Sequence, residues 1–141
     1  MNKEKLSPGN IIWAEDRAWV VEWIPSIGVF AHEFGNPDNK KAIKFEDIRG
    51  IQITVASIEA YLGIKMERDV TDVSMPEEED WYDSDTHTLR ISSAWWRTNR
   101  GGDVPAWYCH VDNNSYDSIG SADIIYLNEL QNFLNSIDYT R

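Results

Sequence analysis

Between Ile11 and Phe45 the chain alternates apolar and polar residues in short runs separated by turn residues. Ser7-Pro-Gly-Asn10 opens this region as a turn. Ile11-Ile-Trp-Ala14 and Ala18-Trp-Val-Val-Glu-Trp-Ile24 flank Glu15-Asp-Arg17, which is the pattern of a hairpin. Pro25 and Gly28 mark the next turn. In Val29-Phe-Ala-His-Glu-Phe34, residues Phe30, His32 and Phe34 share a face, because successive strand side chains point to opposite sides. Gly35-Asn-Pro-Asp-Asn39 has loop composition, and Ala42-Ile-Lys-Phe45 reads as a strand with Ile43 and Phe45 inward. This spacing predicts a bent antiparallel sheet or small SH3-like barrel over residues 8–50.

The period then changes. Thr54 is placed to cap a short helix, with Val55, Ile58, Tyr61 and Leu62 at helical spacing and Gly63 just past its end. Residues 67–85 carry Pro76 and a dense charge run, which predicts a loop rather than an element. Thr88–Arg97 alternates again: Leu89, Ile91 and Trp95 take one face, Arg90, Ser92 and Trp96 the other. Thr98–Pro105 has loop composition. Trp107-Tyr-Cys-His-Val111 predicts a partner strand with Trp107, Cys109 and Val111 on one side. Asp112–Ser115 turns, and the end of Ile119–Tyr126 is extended. Leu127, Leu130, Phe133, Leu134 and Ile137 form the apolar stripe of a closing helix. The expectation is an α+β protein: the N-terminal sheet, a short helix, a second antiparallel strand pair and a C-terminal helix. No repeat is visible, and residues 1–141 read as a single domain.

Composition narrows the picture. A chain of 141 residues, 42% hydrophobic and 12% aromatic, can build a real core. Seven Trp are hard to hide in one small core, so at least one is expected at the surface. Cys109 is the only cysteine, which excludes an internal disulfide. The first residues contain no apolar signal region, and no apolar run approaches the roughly 20 residues that cross a bilayer. The expectation is a cytoplasmic protein without a membrane partner.

Charge changes the picture most. The formal net charge is −11, and residues 67–85 alone hold nine carboxylates and one Arg. Such a segment repels phosphate and acidic lipid and attracts basic surfaces. Two readings stand: a solvated loop, or a ligand that mimics nucleic-acid phosphates on a protein with a basic surface. In the second, Trp81 and Tyr82 would be anchors among Glu77, Glu78, Glu79, Asp80, Asp83 and Asp85.

Other chemistry is sparse. Asp80, Asp83, Asp85 and His87 supply oxygens and a nitrogen for a cation, but lack the Gly and the distal Glu of an EF-hand loop. Cys109 and His110 are adjacent, so a strand points them to opposite faces and they cannot form a nucleophile–base pair. Arg90, Trp96, Arg97 and Arg100 form a local basic–aromatic cluster that suits single-stranded nucleic acid. The negative net charge argues against that direct binding, and cation–π packing within the fold uses the same residues. Trp96 is kept as a candidate partner-binding residue. No catalytic residue, metal or cofactor is expected; an enzyme with an unrecognised site is the remaining alternative.

Two patches carry a family resemblance. One is Pro8-Gly-Asn-Ile-Ile12 with Ile51-Gln-Ile-Thr54 opening a helix that ends in Leu62-Gly-Ile64; the other is Ile125-Tyr-Leu-Asn-Glu-Leu-Gln-Asn-Phe-Leu134. Their ordering resembles small uncharacterised proteins of Bacteroidota chromosomes, mobile elements and phages, which start with a Gly-Asn turn and end with a Leu-Gln-Asn helix. The acidic middle and the pair Trp95-Trp96 depart from that pattern. The resemblance implies a phage or mobile-element setting and no known activity, and carries over no catalytic residue; with the acidic segment, that setting leads to the expectation of a protein-binding module that inhibits a host defence or nucleic-acid-handling protein.

Overall fold

The computed structural model describes residues 3–68, 81–85, 88–93, 106–113, 115 and 117–137. It contains two antiparallel sheets, of four and five strands, with short helical segments and a C-terminal helix, which is an α+β arrangement. The chain divides into two compact units: Met1–Gln52 with Tyr126–Asn132, and Ile53–Ile125 with Phe133–Arg141.

The first unit is built on β1 (Ile11–Ala14), β2 (Arg17–Trp23), β3 (Gly28–Glu33) and β4 (Asn36–Lys44), paired in sequence order. The β1–β2 turn places Glu15 and Asp16 at φ 51° and 60°. That left-handed pair matches the right-handed twist of the strands, although Asn-Gly is the usual choice. An ion pair from Lys41 holds Glu15 there. The β3–β4 turn uses Gly35 at φ 84°.

The loop expected over Gly35–Asn39 is largely strand. Pro37 is tolerated because β4 is an edge strand and the pairing jumps from Glu33↔Asn36 to His32↔Lys40. A bulge on an edge asks no ladder N–H of proline.

One face of this sheet buries Ile12, Trp19, Val21, Val29, Ala31 and Ile43, closed by Leu6 and Ile48. Trp19 satisfies its indole N–H on the Ala14 carbonyl at 2.9 Å. Trp23 lies outside this core at 56% exposure, which meets the expectation of a surface Trp.

The outer edge of β1 is covered by chain from elsewhere in the unit. Trp13 and Arg49 exchange two backbone hydrogen bonds of 2.9 Å. The Gln131 amide does the work of a strand peptide: its Oε1 accepts from Ile11 N at 2.7 Å and its Nε2 donates to Gly9 O at 3.0 Å. Beside it, Asn10 Nδ2 donates to Asn132 Oδ1 at 2.8 Å, and Asn10 Oδ1 accepts from Ser7 N at 2.8 Å. Asn128 and Asn132 both donate to Lys5 O at 3.1 Å. Covering an edge in this way removes a site for unwanted strand pairing. The Gly-Asn turn and the Leu-Gln-Asn helix are therefore two halves of one junction.

In the second unit Thr54 caps α1 (Val55–Ser57) through a reciprocal pair of 2.9 Å bonds with Ser57. The helix continues as a wider turn over Ile58–Leu62 and stops at Gly63, φ 68°. Ile58 is the residue this segment buries completely.

The sheet of this unit is β5 (Met66–Arg68), β6 (Tyr82–Ser84), β7 (Leu89–Ser92), β8 (Trp107–Asp112) and β9 (Ser118–Ile124), in that order. The expected strand pair is β7–β8, with Leu89, Ile91, Cys109 and Val111 fully buried on a shared face. It forms part of a larger sheet, however. Residues 67–68 and 82–84, expected in an acidic loop, lie in strands, because pairing of β5 to β6 and of β6 to β7 overrides their weak local propensity.

The closing helix α2 (Leu127–Ser136) buries Leu127, Leu130 and Leu134, the stripe read from the sequence. In the second unit Phe133 and Ile137 lie over Gly120. Among the described residues no helix is long and apolar enough to cross a membrane.

Candidate functional site

The second unit places the ends of the acidic segment side by side. Antiparallel pairing sets Met66 opposite Ser84, Glu67 opposite Asp83 and Arg68 opposite Tyr82. The chain that leaves at Arg68 therefore returns to the same two strands. Between them run residues 69–80, with six carboxylates and no cation. Glu77, Glu78, Glu79 and Asp80 lie outside the described residues, as do His87 and Trp96.

Trp81 is buried at 9% exposure and so does not stand out as a surface anchor. Its ring meets Tyr108 edge-on at 5.8 Å, and the Arg90 guanidinium lies over it at 5.0 Å. Arg90 Nε also bonds Asp83 Oδ1 at 2.7 Å, with 32% and 14% of the two side chains exposed. Arg90 is thus used twice within the fold, as cation–π partner and as ion pair. Tyr82 is half-buried on the other face, edge-on to Trp107 at 6.1 Å. Asp85 is exposed. Of the sequence candidates, the structure brings together Trp81, Asp83 and Arg90, as the anchor of the segment's return.

Next to them Tyr108 stacks with His110 at 6.3 Å, and His110 Nε2 meets Asp112 Oδ1 at 2.8 Å. Cys109 points to the opposite side and is fully buried. Burial pushes its thiol far above the ordinary range, and the Asp123 carboxylate adds to the shift. A protonated, inaccessible thiol is a poor nucleophile. Asp83 is committed to Arg90, and among the described residues no three His, Cys, Asp or Glu side chains converge as metal ligands.

Among the described residues, two of the clefts in the first unit are large and open. One, of about 590 Å³, is lined by Lys5, Arg49, Gly50, Gln52, Tyr126 and Glu129, among others. The other, of about 580 Å³, runs from Trp13 past Glu15, Asp16, Glu46 and Asp47 to Arg49. No sequence motif pointed to either, because their walls come from chain segments far apart. No protein-family model, curated protein or solved structure matches the chain.

Proposed function

We propose that this chain is a non-enzymatic binding module that engages a protein with a basic surface through the acidic segment between β5 and β6. The observation that carries this reading is the β5–β6 pairing: residues with six carboxylates and no cation are held at both ends by adjacent strands. Tethering the ends lowers the ordering cost of presenting such a segment, and its charge steers a basic partner toward it. Trp81, Arg90 and Asp83 serve as the anchor that fixes one end. The family resemblance suggests the setting, a phage or mobile-element protein that occupies a host defence or nucleic-acid-handling protein by imitating phosphate charge. Direct nucleic-acid binding is disfavoured by the employment of Arg90 inside the fold.

The test is a pull-down from host extract with the wild type and with a variant carrying Glu77→Gln, Glu78→Gln, Glu79→Gln and Asp80→Asn. The expected partner is recovered by the wild type at low salt. It is lost as the Debye length shrinks from about 10 Å at 0.1 M toward about 3 Å at 1 M salt. It is also recovered poorly by the variant. Equal recovery of one partner by both proteins at every salt concentration refutes the reading.

A further inference from the structure

We propose that the cleft beside Arg49 in the first unit binds a small organic anion with a planar ring, of mononucleotide size. Carboxylates outnumber Lys and Arg by 24 to 13, and five of the described cations pair with one. Arg17 pairs with Glu33, Lys40 with Glu22, Lys41 with Glu15, Lys65 with Glu67 and Arg90 with Asp83. Lys5 and Arg49 have no ion pair among the described residues, and both line the same cleft of about 590 Å³. Both are exposed, so the cleft presents their charges to solvent. The wall also carries one carboxylate, Glu129, which accepts from Tyr126 N at 2.9 Å.

The remaining walls suit a ring. Tyr126 is 36% exposed, and its inner side rests directly on backbone: a Cβ at Gly50 would fall 2.5 Å from the ring. Gly50 therefore backs the ring as a fixed platform. Gln52 adds an amide at the rim. An Arg fork takes two oxygens of a phosphate or carboxylate, a Lys adds a point charge, and an aromatic face accepts a planar group. The volume lies in the range of small-ligand sites, about 300–1,000 Å³.

The site is independent of the acidic segment, and so is its test. ¹⁵N-labelled full-length protein is titrated with adenosine monophosphate, adenosine and inorganic phosphate, following the backbone amides. The expected result is saturable movement of the Gly50 and Gln52 amides with the monophosphate, at lower concentration than with either fragment. Arg49→Gln and Lys5→Gln, each checked by unchanged amide positions elsewhere, are expected to weaken the monophosphate about tenfold or more. No movement of these amides up to about 10 mM monophosphate, well above the roughly 1 mM that corresponds to a weak site, overturns the proposal. So does undiminished binding by both variants. Equal binding of monophosphate and inorganic phosphate overturns the ring platform.

Discussion

The junction between the Gly-Asn turn and the closing helix gives the sharpest test of the fold. Asn10 is fully buried and makes two side-chain hydrogen bonds, to Asn132 Oδ1 and from Ser7 N, both 2.8 Å. Asn10→Ala deletes both and leaves their partners unsatisfied. At about 1 kcal/mol net per bond, with a further 1–3 kcal/mol where a buried group is orphaned, the loss is about 2–4 kcal/mol. Asn132→Ala deletes the same central bond and the 3.1 Å bond to Lys5 O, but that carbonyl keeps its bond from Asn128. Its cost is smaller, about 1–3 kcal/mol. Because the central bond is lost in both single variants, the double variant should be less damaged than their sum by about 1–2 kcal/mol. Urea unfolding followed by Trp fluorescence measures all four corners of the cycle. With a slope of about 2 kcal/mol per molar urea, each kcal/mol moves the midpoint by about 0.5 M. Additivity within about 0.5 kcal/mol would mean that the two amides do not share a bond, and would refute this account of the junction.

Two further outcomes follow from burial in the second unit. Trp81→Ala removes a buried indole from Tyr108 and Arg90, so it should cost about 3–5 kcal/mol and lower the melting temperature by about 10 °C or more; an unchanged melting temperature would return Trp81 to the surface as a partner anchor. Cys109 should react with a thiol reagent about 10³-fold or more slowly in the native protein than in urea, since labelling waits for opening. Its raised native pKa also has a sign: above about pH 8.5 the unfolded chain releases the thiol proton and the native chain keeps it, so stability falls as pH rises. Fast labelling without denaturant, or stability indifferent to pH between 8 and 10 in a comparison with Cys109→Ala, would contradict the buried position.

Local chemistry was enough where neighbours in sequence make the element. The Ile11–Ala14 and Arg17–Trp23 hairpin, the Thr54 cap with Gly63 at the helix end, and the Leu127, Leu130 and Leu134 stripe all follow from period and cap chemistry. The same holds for the burial of Cys109, set by alternation with Val111. Where long-range pairing competes with composition, composition misleads. Gly35, Pro37 and Asn39 have loop character, yet β3 offers a ladder and the edge position forgives the proline. Trp81 sits among acids and reads from the sequence as a partner anchor in a charged segment, whereas the register of β6 on β7 sets it against Tyr108 and Arg90. Gln131 and Asn132 were visible as a motif; that they finish the edge of β1 is known only once the helix is laid against Gly9–Ile11. The cleft of Lys5, Arg49 and Tyr126 had no signal in the sequence at all. Hydrophobic period and capping act over a few residues, whereas a binding cavity is made by positions that only the folded chain brings within a few ångströms of one another.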